Sequence, residues 1–506
     1  MDSNDGPTNS KKPSKKMSSK DNRILLLNAP RLPLPDEKIA ELTDDLHDWA
    51  HANGLVMRLP TSKMSSEQCQ TTPLTLLPSP FPKNVFDEAV HVQNLYASLY
   101  HYIAYEFDFL IEIHKNVVKT DDFTRNLVEI LKKVKKQGLK QPVTLAIQRS
   151  DYMCHKDQFS SEYCLKQIEI NNIASSMGAH AQRLTDWHSR VLKSLEVPDD
   201  VIKRAIPENK PIPMIAEALF KAWSYFASPS AIVLVVVESV NQNQIDQRHV
   251  EYELEKLGVP TTNIIRRSLT QCYEQLSLNE NSDLLLNGRQ VAIVYFRAGY
   301  SPDHYPTNKE WEARERMELS TAIKTPWIGL QVANTKKTQQ ILSEDGVLER
   351  FIGNPREARD IRASFAGMWA LENLDEVTQK VVKGAQKHPE AFVLKPQTEG
   401  GAALHTGDEM VQMLRDLPEE QRGAYILMEK LKPMIVDNYL ILPNKPVTFA
   451  KSVCELGIYG YAFGQKNGPE LKTAGHLLRT KPESTAMGGV AAGHAVVDSP
   501  FLYEFI

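Results

Sequence analysis

Four stretches of the chain bring together side chains that a hydrophobic core does not need. In Phe392-Val393-Leu394-Lys395-Pro396-Gln397-Thr398-Glu399-Gly400-Gly401, a strand delivers a lysine, then a carboxylate, then two glycines. Glycine lets backbone N–H groups approach a ligand closely, and lysine beside such backbone suits a polyphosphate. The neighbouring Glu399 suits the Mg²⁺ that accompanies one, although a strand-to-turn Gly-Gly also serves as a plain turn. In Lys166-Gln167-Ile168-Glu169-Ile170-Asn171, a period of two sets Ile168 and Ile170 on one face and Gln167, Glu169 and Asn171 on the other. A carboxylate and an amide oxygen two residues apart can ligate a hard cation; the alternative is a solvent-facing strand. Tyr425-Ile426-Leu427-Met428-Glu429-Lys430 runs a strand into a charged end, a hinge or an edge. Gly475-His476-Leu477-Leu478-Arg479-Thr480-Lys481, followed by Gly488-Gly489-Val490-Ala491-Ala492-Gly493, sets two cations beside small residues. Such a pair clamps anionic groups over backbone donors, or forms a solvated loop.

These segments need elements to hold them. Apolar residues at Val85, Ala89, Val92, Tyr96, Leu99 and Ile103 predict a helix with Asn84 as its N-cap, and Phe123, Leu127, Ile130 and Val134 predict another that Gly138 stops. Residues 143–147 read as a strand, with the polar cluster Gln148-Arg149-Ser150-Asp151-Tyr152 directly after it. Residues 231–237 read as a strand buried on both faces. Strands at 291–296 and 327–332, alternating with polar helical stretches, complete an α/β subdomain over 228–330. Strands at 392–395, 425–428 and 453–456 lie in a glycine-rich third region, 331–506. Regular structure is expected to begin near 22–27, giving a first region of 22–227 behind a disordered tail, 1–21, whose Ser, Lys and Pro content cannot form a core.

Composition excludes several classes. At 506 residues, 42% hydrophobic and 24% charged, the chain can bury large cores in two to four domains. A net charge of −4 gives no electrostatic footprint for nucleic acid or an anionic membrane. The longest apolar run, 231–237, is far short of the roughly 20 residues a spanning helix needs. Five scattered cysteines without C-x-x-C spacing indicate reduced thiols in a cytoplasmic protein. The N-terminal stretch lacks the apolar core of a secretion leader, though one removed beforehand would leave no mark.

Taken together and in order, these motifs resemble those of eukaryotic glutathione synthetase, an ATP-grasp ligase, from about residue 22 to the C-terminus. The resemblance is carried by Arg149-Ser150-Asp151-Tyr152-Met153, Lys166–Asn171, Asp246-Gln247-Arg248, Val294-Tyr295-Phe296-Arg297 and Thr335-Lys336-Lys337-Thr338-Gln339-Gln340. The 392–397, 425–430, 475–481 and 488–493 stretches and Glu455-Leu456-Gly457-Ile458 complete it. It implies an α/β ATP-grasp fold with an inserted parallel-sheet substrate-binding subdomain and a glycine-rich lid, in a homodimer. It implies ATP and Mg²⁺ as cofactors, and joining of γ-glutamylcysteine to glycine through an acyl phosphate. By the same resemblance Glu169, Asn171 and Glu399 hold magnesium, and Lys336, Lys395 and Lys481 contact the nucleotide. Met428, Glu429 and Leu431 present backbone to adenine, with Glu455 on the ribose side. Arg149, Ser176, Asn243, Gln247, Arg297 and Tyr300 bind the dipeptide, and Val490 and Ala491 cover the glycine. Arg479 and the backbone of Gly400 and Gly401 stabilise the reacting phosphoryl group.

The chain also departs from that pattern. Its loop reads Thr398-Glu399-Gly400-Gly401-Ala402-Ala403-Leu404-His405-Thr406, without the arginine, third glycine, two asparagines and tyrosine the family shows. Ala174 stands at a serine position, Asn241 and Met487 at acidic positions, and Ala298 at an aspartate. These departures leave open another thiol peptide or amine acceptor, or a binding role with weak catalysis.

Overall fold

The computed structural model describes residues 29–156, 162–372, 374–397, 404–485, 489–490 and 493–504. In chain order the elements that position the site begin with β1 (Leu74–Thr75), α1 (Lys83–Ala104) and α2 (Asp122–Gln137). Next come the antiparallel strands β2 (Thr144–Lys156) and β3 (Tyr163–Asn171), then α3 (Gly178–Ser194) and α4 (Pro211–Tyr225). The middle of the chain supplies β4 (Ile232–Val236), α5 (Gln244–Lys256), β5 (Ile264–Arg267), β6 (Arg289–Phe296) and β7 (Ile323–Thr325). Helices α6 (Ile328–Ala333) and α7 (Lys336–Ser343) lead to β8 (Met368–Ala370), β9 (Phe392–Pro396) and β10 (Tyr425–Glu429). The chain finishes with β11 (Ile435–Ile441), β12 (Thr448–Gly464), β13 (Glu470–Pro482) and β14 (Val496–Asp498).

Three sheets organise these elements. Seven strands run in the order β11-β1-β14-β13-β12-β2-β3, with β12 paired along most of its length to both β2 and β13. The second sheet has six strands: four parallel ones, β5-β4-β6-β7, and two short antiparallel strands, Leu284–Leu286 and Leu276–Leu278, that extend it beyond β6. Strand β4 is buried at every residue, as its unbroken apolar run requires. Strands β8-β10-β9 form a small antiparallel third. The large sheet separates two cores. Leu145 and Ile147 of β2 pack on one face with Trp187 of α3 and Ile215 of α4. On the other face, Ala146, Tyr152 and Cys154 pack with Val92, Tyr96 and Leu99 of α1. Alternation along one strand thus serves both layers.

Several local expectations are corrected. Asn84 does not cap α1; the helix opens at Lys83 directly behind Pro82, whose extended ψ of 125° ends the preceding strand. The cluster at 148–152 is no separate segment but the continuation of β2, because its polar residues pair with β12 and β3. Residues 327–332 are not a strand. They enter α6, an apolar stretch whose periodicity alone does not separate buried helix from buried strand. Its first backbone N–H, on Ile328, donates to the buried Glu318 Oε2 at 3.0 Å, which satisfies one helix-terminal donor from outside the helix.

Helix α6 packs against the end of α1 through Gly329, where an added Cβ would meet the Ala104 carbonyl oxygen and the Trp327 ring well inside contact distance. Gly329→Ala is therefore expected to destabilise the protein by about 1–3 kcal/mol or more, read as a lowered urea midpoint.

Candidate active site

Four neighbouring strands bring the chemistry-bearing residues into one row. Register pairs Arg149 with Asn171 and Asp151 with Glu169 across β2 and β3. It pairs Arg149 with Tyr459 and Asp151 with Gly457 across β2 and β12, and Glu455 with Arg479 across β12 and β13. Lys481, two residues beyond Arg479, follows on the same face. This face is the one that buries Leu145 and Ile147 lower down, so the apolar core gives way to a charged floor along a single strand.

The interactions there are strong. Arg149 clasps Asp151 with two parallel bonds, Nε to Oδ1 at 2.6 Å and Nη2 to Oδ2 at 2.7 Å. Arg479 Nη2 reaches the same Asp151 Oδ2 at 3.1 Å, forms an ion pair with Glu455, and lies 3.9 Å from Glu169. Asp151, Glu169 and Glu455 each offer an oxygen within 4.8 Å of the others. Asn171 donates through Nδ2 to Asp151 Oδ2 at 2.9 Å, which leaves its Oδ1 as an additional oxygen ligand. Burial alone would raise the Asp151 carboxyl, but the guanidinium groups of Arg149 and Arg479 hold it below its ordinary range. Burial lowers Arg479, and burial followed by its neighbour Arg479 lowers Lys481. Gly457 is required here because a Cβ would stand 2.6 Å from Asp151 Oδ1 and 2.7 Å from Arg149 Cδ.

A second group lies where the parallel sheet meets this row. Ala174 and Met177 adopt left-handed backbone, φ 52° and 70°, and the turn between them aims carbonyls at two arginines. The Ser176 carbonyl accepts from Arg149 Nη1 at 3.2 Å and from the Tyr459 hydroxyl at 2.6 Å; the Ser175 carbonyl accepts from Arg297 Nη1 at 2.7 Å. Asp246, on α5, accepts from the backbone N–H of Met177 and Ala179 at the start of α3, at 3.0 and 2.9 Å, and from Asn243 Nδ2 at 3.2 Å. Gln247 accepts from Arg266 at 2.6 Å, and Tyr300 donates to Glu238 at 2.8 Å.

The remaining expected residues are spread over the third region. Lys336 opens α7, whose cap Thr335 accepts from Thr338 N and bonds His114 Nε2 at 2.7 Å. Lys395 lies on β9, opposite Ile426 of β10. Met428 and Leu431 pack with Val393 and Met368, while Glu429 Oε2 accepts from Gly367 N at 3.2 Å. Val490 is buried in the core beneath the seven-stranded sheet. Glu399, Gly400, Gly401 and Ala491 lie outside the described residues. Glu455, expected beside a ribose, has its carboxylate in the acidic cluster.

Gln167 does not share the face of Glu169 and Asn171. A bulge between Asp151 and Tyr152 shifts the register at Ile168, so Gln167 is fully buried and accepts from Gln339 Nε2 at 3.0 Å. Asp151 was missed among the expected ligands. Its position two residues after Arg149, on the same strand face, was the available signal.

Such a floor offers clustered carboxylate oxygens to a hard cation and guanidinium groups to an anion. A family model described as "Eukaryotic glutathione synthase, ATP binding domain" matches residues 36–502. Glutathione synthetase of Bos taurus is 40% identical over 471 residues, covering 92% of this chain and 97% of that protein. That of Homo sapiens is 39% identical over 468 residues, with the same shares. The apo structure of a glutathione synthetase-like effector (GSS30) from Globodera pallida aligns with a TM-score of 0.75 at 26% identity, over 94% of this chain and 99% of that one. The chain belongs to the eukaryotic glutathione synthetase family: it has the ATP-grasp fold with an inserted parallel sheet and is an ATP-dependent ligase.

Asp151→Asn removes the charge shared by the buried Arg149 and the partly buried Arg479. It is expected to lower stability by about 3–5 kcal/mol in chemical denaturation, well beyond the effect of a surface substitution.

Proposed function

We propose that the enzyme joins γ-glutamylcysteine to glycine, with ATP and Mg²⁺, through an acyl phosphate. The observation that carries this reading is the row Asp151, Glu169, Glu455 and Arg479 on one sheet face. In the first step a carboxylate oxygen of the dipeptide bonds to the γ-phosphorus of ATP and ADP leaves. In the second, the glycine amine attacks the acyl carbon, phosphate departs and the amine loses a proton. The difficulty is that both partners of the first step are anions: at about 4 Å, two unit charges cost about 4 kcal/mol in an effective dielectric near 20.

The chain's own residues address that cost. Arg479 is placed to neutralise charge on the reacting carboxylate and phosphoryl oxygens, where its planar fork fits best. Lys336, Lys395 and Lys481 contact the nucleotide phosphates, and Met428, Glu429 and Leu431 present backbone to the base. Arg149, Asn243, Gln247, Arg297, Tyr300 and the Ser176 turn hold the dipeptide. Val490 and Ala491 cover the glycine site, and Gly400 and Gly401 approach the phosphates through backbone N–H groups. Exclusion of water there would protect the acyl phosphate from hydrolysis.

The donors suit magnesium, since carboxylates of Glu169, Asp151 and Glu455 and the Asn171 Oδ1 are hard oxygen ligands. Glu169 and Asn171 would hold it, with Glu399 beyond the described residues. Bound there, the metal supplies positive charge to the phosphate oxygens. Among the described residues no helix is long and apolar enough to cross a membrane, and five free cysteines accord with a cytoplasmic setting. A homodimer completes the proposal by family analogy.

With ATP, γ-glutamylcysteine and glycine, the protein should form glutathione and ADP in equal amounts, and chelation by EDTA should abolish both. Glu169→Gln should reduce turnover by about 100-fold or more while the protein stays folded by circular dichroism. ADP formation unaffected by EDTA would refute the proposal.

A further inference from the structure

Glu238 lies two residues beyond β4, where the carboxyl ends of the parallel strands open into a crevice of the kind that binds ligands. Its Oε1 accepts from the Tyr300 hydroxyl at 2.8 Å and faces His304 Nε2 at 3.2 Å; its Oε2 accepts from Asn241 Nδ2 at 3.2 Å. His304 Nδ1 accepts the backbone N–H groups of Gly299 and Ser301 at 3.0 and 3.3 Å. That places the proton of a neutral ring on Nε2, pointing at the carboxylate. All three donors around Glu238 are therefore neutral, and among the described residues no lysine or arginine forms an ion pair with it. Burial would raise Glu238, yet the bonds from His304 and Tyr300 hold it below its ordinary range, so it is charged at neutral pH.

The charge is thus real, partly buried at 21% side-chain exposure, and not balanced. Anions so placed are normally paired with a cation. A second observation points the same way. Asn243, whose backbone N–H is tied to Asn241 Oδ1 at 2.6 Å, has a buried Oδ1 without a partner among the described residues. The donors around Glu238 are already engaged with it, and the Asn243 oxygen remains an open acceptor. The group that satisfies such a carboxylate is a cation with several N–H bonds, a primary ammonium.

We propose that Glu238 binds the ammonium group of the dipeptide substrate, with Tyr300, His304 and Asn241 fixing the carboxylate's orientation. The inference rests on the γ-glutamylcysteine reading above, in which the glutamyl α-ammonium is the substrate's one cation. It also gives Asn241 a role: the residue carries no charge itself and steers one three positions earlier.

The test compares γ-glutamylcysteine with N-glutarylcysteine, the same acid without the ammonium group, by calorimetry and by steady-state kinetics on wild type and Glu238→Gln. Wild type should bind the ammonium-bearing acid more tightly than the other. Glu238→Gln should raise KM for it about 10- to 100-fold, leaving the desamino acid within about twofold, as for loss of one charge-assisted hydrogen bond. Equal weakening toward both acids, or a wild type that binds the two alike, would overturn the assignment whether or not ligation proceeds. Absence of ADP formation by a wild type that still prefers the ammonium-bearing acid would count against the ligase chemistry and leave Glu238 standing.

Discussion

One carboxylate, Asp151, holds the arrangement together. It lies between Arg149, which grips both of its oxygens, and Arg479, which shares it with Glu455 and Glu169. Removing two guanidinium groups from water is affordable only with such partners, so the acidic cluster is both a structural requirement and the source of the site's charge. The strands follow from that demand. Glu169, Asp151, Glu455 and Arg479 come from β3, β2, β12 and β13, four neighbours in one sheet, and pleating points all four side chains to the same side.

The rest of the molecule supports this row from behind. Helix α1 and its aromatic residues fill the opposite face of the sheet, and α3 and α4 fill the lower part of the same face. Gly457 leaves the space that Arg149 and Asp151 occupy, which is why a glycine stands in the middle of a long paired strand. The left-handed turn at 174–177 spends backbone strain to direct carbonyls at Arg149 and Arg297, and Asp246 fastens that turn to α5. Arg149, Arg297 and α5 are thereby tied to one short segment.

Much of this was legible in the sequence, for physical reasons that differ by element. Strand β4 is a continuous apolar run because both of its faces are covered, and α2 carries a clean helical stripe that ends at Gly138, φ 79°. The failures share a cause, namely tertiary contacts that local pattern does not encode. Residues 327–332 are apolar apart from Gln331, so period could not separate helix from strand, and an external cap from Glu318 favours the helix. Gln167 left its expected face because a bulge, invisible in composition, breaks the alternation at Ile168. Asp151 and Glu238 went unnoticed as candidate ligands because their meaning depends on partners far along the chain, Arg479 and Tyr300. Expected chemistry at 398–401 and 491 lies outside the described residues.

The central claim is that the acids gathered around Arg479 bind metal and nucleotide as one unit. Calorimetric titration with a non-hydrolysable ATP analogue, with and without magnesium, addresses it most directly. Saturable binding at least about tenfold tighter with magnesium, a difference of about 1.4 kcal/mol, is the result anticipated. Equal affinity in the two titrations, on a sample whose fold is verified, would contradict it.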